Sequence, residues 1–110
     1  MSLLSNMFSF QSPYKEIGPR DLSRLPEGTR LIDVRQPEEF EGELSHLSGA
    51  ELVPLATLQS AAASWDKSTP YLVICRSGGR SGAGCDVLCK MGFTDVTNLR
   101  GGMMGVRAAG

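Results

Sequence analysis

Residues 71–75 read Tyr-Leu-Val-Ile-Cys, an unbroken apolar run that starts after Pro70 and ends at the glycine-bearing segment Arg-Ser-Gly-Gly-Arg-Ser. A run this short and rich in β-branched and aromatic residues is a strand, and one with no polar face must be covered on both sides. That is the situation of a central strand in a parallel sheet, and it excludes a one-sided antiparallel sheet as the frame of this chain. At 110 residues the chain is expected to form one domain.

The remaining segments fit that frame. Strands are expected over 14–17 (Tyr-Lys-Glu-Ile), 29–34 (Thr-Arg-Leu-Ile-Asp-Val), 51–55 (Glu-Leu-Val-Pro-Leu) and 95–99 (Asp-Val-Thr-Asn-Leu). Helices are expected over 18–26, ended by Pro26, and over 36–44, where Pro37 and the acids behind it suit a helix first turn. Two more are expected over 57–65, with Thr57 as cap, and over 81–92, with Ser81 as cap and Gly92 as terminator. A turn and a frayed or helical end follow from residue 100. Strands alternating with helices across short links imply right-handed crossovers. The predicted fold is therefore α/β, with a mostly parallel central sheet of about five strands and helices on both faces. The apolar N-terminal residues 1–12 have no basic n-region or small-residue cleavage site and read as a tail preceding a domain over 13–110.

In such sheets ligands sit at the carboxyl ends of the strands. Cys75 closes the most apolar strand, so the loop it opens is the candidate site. Gly78 and Gly79 let that loop curl and turn its N–H groups inward, and an inward ring of N–H groups at a helix start holds anions. Arg76 and Arg80 add positive charge. The cradle is thus Arg76, Ser77, Gly78, Gly79, Arg80 and Ser81 around Cys75, whose thiol should be largely thiolate near neutral pH. Arg80 is assigned to anion contact or loop bracing, and Arg76 to the cradle or to the mouth as an electrostatic lure. Nucleotide binding is poorly supported, because no Lys-Ser/Thr pair follows the glycines and no G-x-G-x-x-G is present. Four residues separate Cys75 from Arg80, whereas the cysteine phosphatases carry five between nucleophile and arginine. The tighter ring suits a smaller transferred atom, such as the outer sulfur of a sulfane donor.

These segments resemble a single-domain rhodanese, a thiosulfate-type sulfurtransferase, from about Ile17 to Val106. The stretch LIDVRQPEEFEGELSHLSGA is similar to the family's Asp-Val-Arg segment, acidic-aromatic helix and His-Ile-x-Gly-Ala stretch, with Asp33, Arg35, Glu39, Phe40, His46, Gly49 and Ala50 on the matching positions. VICRSGGRS resembles the family's active loop, and MGFTDVTNLRGGMMG its closing segment. Ser45 stands where the family usually has glycine, and Val106 stands at about the place of a usual tryptophan. The resemblance implies sulfur transfer from a donor such as thiosulfate to a thiol or cyanide acceptor through a Cys75 persulfide, with a sulfur-accepting protein as a further candidate partner. The alternatives are a phosphatase or arsenate reductase on the same fold, or a non-catalytic protein-binding module.

Asp33 and Arg35 follow a strand neighbouring the loop and are expected to support it. His46 is expected to be a hydrogen-bonded fold residue, and Cys85 and Cys89 small packing residues one helical turn apart. No metal is expected from Cys85, Cys89 and His46, which lack ligand spacing, and no cofactor. A formal net charge of −1 offers no global field for nucleic acid or an anionic membrane. Three cysteines without a Cys-x-x-Cys pair fit a reducing compartment, and the expected location is cytoplasmic.

Overall fold

The computed structural model describes residues 13–110; the tail expected over 1–12 lies outside the described residues. The chain alternates strand and helix throughout. Strand β1 (Lys15–Ile17) is followed by a 3-10 helix (Pro19–Arg24), β2 (Arg30–Asp33), α1 (Pro37–Phe40), β3 (Glu51–Leu52) and α2 (Leu55–Ala62). Then come β4 (Tyr71–Ile74), α3 (Gly79–Lys90), β5 (Val96–Leu99) and α4 (Gly102–Ala109). The five strands form one sheet in the order β1-β5-β4-β2-β3, and every pairing is parallel.

β4 lies at the centre, and its side chains alternate between two apolar layers. Tyr71, Val73 and Cys75 enter one layer with Ile32, Val34, Leu58, Leu88 and Phe93, beneath α2 and α3. Leu72 and Ile74 enter the other with Leu99 and Met103, together with Leu22 and Leu25 of the 3-10 helix region. The period-two alternation therefore feeds both faces, which is why the strand tolerates no polar residue.

After β2 the chain steps to β3 on one side, then returns to β4 on the other and continues to β5. The direction of winding reverses between β2 and β4, and a crevice opens at the carboxyl ends of adjacent strands where that happens. Asp33 ends β2 and Cys75 follows β4. No described helix is long and apolar enough to cross a membrane.

Three helices differ from the sequence reading, one in its length and two in their starts. α1 is a single turn rather than a helix over 36–44, because the chain folds sharply at Gly42, where a Cβ would stand 2.7 Å from the Glu38 carbonyl. Leu44 and Leu47 beyond it pack into the second apolar layer. α2 begins at Leu55 with Thr57 inside its first turn, and the Thr57 hydroxyl donates back to the Pro54 carbonyl at 2.8 Å instead of capping N–H groups. α3 begins at Gly79, capped by Gly78 at φ 112°, so Ser81 is not its cap. The strand expected over 51–55 is reduced to Glu51–Leu52.

Candidate active site

The loop after β4 wraps its own cysteine. The Gly78 N–H donates to Cys75 Sγ at 2.9 Å, and the Ser81 hydroxyl lies 3.2 Å from the same sulfur. Burial pushes the thiol up. The Ser81 hydroxyl and the backbone N–H groups of Ser81, Gly78 and Ser77 outweigh that, so the Cys75 thiol lies below the ordinary range. Ser81 occupies the first turn of α3, where backbone N–H groups have no intrahelical partner, and it spends its own on the sulfur. Gly78 makes this possible, since its left-handed conformation turns the chain back over Cys75 where a side chain would be strained.

A second clamp holds the loop from outside. The N–H groups of Met103 and Met104, at the start of α4, donate to the Cys75 and Arg76 carbonyls at 2.8 and 2.9 Å. With those carbonyls tied outward, the N–H groups that follow are free to turn inward. Gly102, at φ 55°, brings α4 this close: a Cβ there would stand 2.4 Å from the Cys75 carbonyl oxygen.

Arg80 braces the loop from its other end. Its guanidinium makes two bonds of 2.7 Å to the Glu39 carboxylate. Glu39 also accepts the Gln36 N–H at 3.0 Å, so one side chain joins the start of α1 to the start of α3. Of the two roles expected for Arg80, the observed contact is the brace. The Arg80 bond first, and then the Gln36 N–H, overcome the cost of burial and lower the Glu39 carboxyl from 4.5 to about 2. A carboxylate whose pKa falls on folding stabilises the fold above its unfolded value. That contribution is lost as pH falls from about 4.5 towards about 2. Glu39→Gln is therefore expected to flatten the acid limb of a stability-versus-pH curve across that window, as read by thermal melts; an unchanged limb would show that the brace carries no stability. If the site transfers sulfur, as the resemblance implies, Arg80→Ala is expected to slow that transfer roughly 10- to 100-fold, the range for a mispositioned catalytic group. The loss should be similar for dianionic and uncharged donors, because the guanidinium acts on the loop. Selective loss of the dianionic donor, measured by steady-state kinetics, would show contact with the donor instead.

Asp33 and Arg35 form a buried pair behind the crevice, at 0% and 1% exposure. Arg35 donates through Nε and Nη2 to the two Asp33 oxygens at 2.9 and 2.8 Å, and to the carbonyls of Glu39 and Ser45 at 3.2 and 2.7 Å. It thereby ties β2 to both ends of the turn that carries Glu39. Ser45 sits at φ 55°, the one described residue other than glycine with positive φ, at the position where the resemblance noted glycine. His46 stacks on Phe40 at 3.6 Å and donates from Nδ1 to the Phe40 carbonyl at 2.8 Å, a fold contact. Arg76 lines a pocket of about 210 Å³ with Glu38, Glu43 and Leu44, beside the loop rather than in its bowl. Cys85 is buried, and burial pushes its thiol far up; the Cys89 thiol is raised as well.

Two participants escaped the sequence reading. Glu39 was placed only by resemblance, although its spacing from Gln36 is that of a capping pair. Asn98, on β5, is buried and accepts from the Ser81 hydroxyl at 2.5 Å; nothing in an apolar strand marks one amide as facing a cysteine 23 residues earlier.

The Rhodanese-like domain family profile matches residues 19–109. This chain belongs to that family. Among proteins of the family, it is 29% identical to thiosulfate sulfurtransferase GlpE of Pseudomonas aeruginosa over 90 residues, 81% of this chain and 80% of that one. It is 39% identical to thiosulfate sulfurtransferase PspE of Escherichia coli over 72 residues, 64% of this chain and 67% of that one. An uncharacterised Bacillus subtilis protein, YqhL, is 40% identical over 73 residues, 66% of this chain and 56% of its own length. A rhodanese with anions from E. coli superposes at TM-score 0.61 and 37% identity, over 70% of this chain and 89% of that one. A rhodanese-related protein from Thermoplasma volcanium shares the fold at TM-score 0.77 and 24% identity, over 88% of this chain and 94% of that one.

Proposed function

We propose that this rhodanese domain is a sulfurtransferase that carries sulfane sulfur on Cys75. The observation that carries the reading is the sulfur itself, held at 2.9 Å from the Gly78 N–H and with its thiol pKa lowered by hydrogen bonds. A thiolate so placed attacks the outer sulfur of a donor such as thiosulfate. The new bond is Cys75 Sγ–S, the donor S–S bond breaks, and sulfite leaves with its electron pair. A thiolate or cyanide acceptor then attacks the outer sulfur of the persulfide, and Cys75 leaves as thiolate. The N–H groups that lower the thiol pKa also stabilise each departing negative charge, so one cradle serves both displacements.

The short ring between Cys75 and Arg80 supports sulfur over a tetrahedral phosphate as the atom transferred, and the names of the GlpE and PspE relatives point the same way. Intact mass after incubation with thiosulfate tests the reading. The expected result is one added sulfur, mapped to Cys75 and removed by cyanide. Hydrolysis of an aryl phosphate with no sulfur loading would overturn it in favour of a phosphatase.

A further inference from the structure

A chain of hydrogen bonds runs from the buried sulfur to the surface. Cys75 Sγ meets Ser81 Oγ at 3.2 Å, and Ser81 Oγ meets Asn98 Oδ1 at 2.5 Å. Asn98 Nδ2 in turn reaches the Glu16 carboxylate at 3.0 Å and the Gly78 carbonyl at 3.3 Å. Both Nδ2 partners are pure acceptors, so they fix which way the amide points. Its oxygen must face Ser81, and that oxygen can only accept. The short contact between Ser81 and Asn98 is therefore donated by the hydroxyl.

A serine hydroxyl has one hydrogen. Here two acceptors compete for it, the Asn98 oxygen and the Cys75 sulfur. With a neutral thiol both are served, since the S–H donates to Ser81 Oγ and Ser81 donates to Asn98. With a thiolate they are not. The S–H proton has gone to solvent, and Ser81 can turn its hydrogen to the sulfur only by leaving the buried Asn98 oxygen facing a lone pair. Ser81 and Asn98 are 0% and 2% exposed, so no bulk water replaces the lost partner.

We propose that Asn98 is a positioning residue that competes with Cys75 for the Ser81 hydroxyl hydrogen and so restrains thiolate formation through Ser81. The site thus contains its own brake: the N–H cradle favours the thiolate while the buried amide withholds one further donor. Other charged groups lie on the surrounding elements. They are Arg80 of α3, paired with Glu39 of α1; the Asp33–Arg35 pair after β2; Arg76 within the loop; and Glu16 of β1 behind Asn98. Burial pushes the Cys85 thiol of α3 far up. Of these, Glu16 loses its Asn98 Nδ2 donor in Asn98→Ala, a change that the double variant with Ser81→Ala shares.

The test is a pH titration of thiolate ultraviolet absorbance, taken as the difference from Cys75→Ser. Asn98→Ala is expected to lower the midpoint by about half to one pH unit, the scale of one hydrogen bond. Ser81→Ala should raise it, and the double variant should match Ser81→Ala, because Asn98 has nothing to act on once the hydroxyl is gone. A folded Asn98→Ala protein with an unchanged or raised midpoint overturns the proposal, as does the same downward shift in the Ser81→Ala background. Should Asn98→Ala fail to fold, the parent protein decides: the Asn98 carboxamide carbon resonance must move with the same midpoint as the thiolate signal, and a resonance fixed through the titration overturns the proposal. The inference rests on the functional reading only in taking Cys75 as the working thiol. The titration uses no sulfur donor, so absence of sulfur loading with the Asn98 effect intact removes the sulfurtransferase and leaves the brake, and the reverse outcome does the opposite.

Discussion

Cys75→Ser is expected to reduce thiosulfate:cyanide sulfur transfer by at least about 10³-fold, as removal of a covalent nucleophile does elsewhere. Added sulfur should vanish from the intact mass. The fold should survive, because the new hydroxyl can still accept the Gly78 N–H that Cys75 Sγ accepts at 2.9 Å. Neither other cysteine is expected to stand in. Burial first, and then the neighbouring Cys89 and Asp86 charges, push the Cys85 thiol far up. Cys89 is raised by burial and by Asp86, and it faces the Pro13 carbonyl away from the loop. A Cys75→Ser protein that still loads sulfur on Cys85 or Cys89, or keeps parental turnover, would remove Cys75 from the mechanism.

The sequence made the sheet and the position of Cys75 readable for the same reason. An all-apolar strand demands a central position, and a central strand in a doubly covered parallel sheet delivers its last residue to the crevice. Cys75 needed no further information. The helix starts were harder. Ser81 and Thr57 have the chemistry of caps, but Gly78 and Pro54 already set the turns, which released both hydroxyls for other partners. For Ser81 those partners are Cys75 Sγ and the Asn98 oxygen, so the misplaced cap and the missed Asn98 are one error: both require knowing that β5 lies beside β4. Arg80 was legible as a charge at the end of the loop, but its direction was not. The Glu39 carboxylate that takes it lies 41 residues away in sequence, on a turn whose position is fixed by the buried Arg35. Local pattern reports which residues could hold an anion, and tertiary pairing decides which of them is already occupied by one.

Gly102→Ala is expected to damage both stability and sulfur loading, although residue 102 lies outside the Cys75 loop. Its φ of 55° lies where an alanine is strained, and its Cβ would meet the Cys75 oxygen at 2.4 Å and the Arg76 carbonyl carbon at 2.5 Å. These are backbone atoms of a loop already tied by the Gly78–Cys75 and Arg80–Glu39 bonds, so neither can rotate aside as a side-chain tip would. Left-handed strain of about 1–2 kcal/mol and an overpacking cost of about 1–3 kcal/mol together predict a loss of roughly 2–5 kcal/mol. For a domain of this size that lowers Tm by about 10 °C or more. To relieve the clash α4 must withdraw, and the Met103 and Met104 N–H groups then release the Cys75 and Arg76 carbonyls. Those peptides become free to rotate, the inward N–H ring loosens, and the Cys75 thiol should titrate higher and load sulfur more slowly in whatever fraction stays folded. Gly28→Ala separates the two causes. Gly28 has φ 86° with no atom within 4 Å of a Cβ, so it carries the backbone strain without the collision or the loop. It should cost about 1–2 kcal/mol and leave sulfur loading unchanged. Calorimetry and intact-mass loading on the two variants side by side decide the matter: equal losses of Tm with equal, parental loading would show that α4 does not hold the loop in its reactive shape.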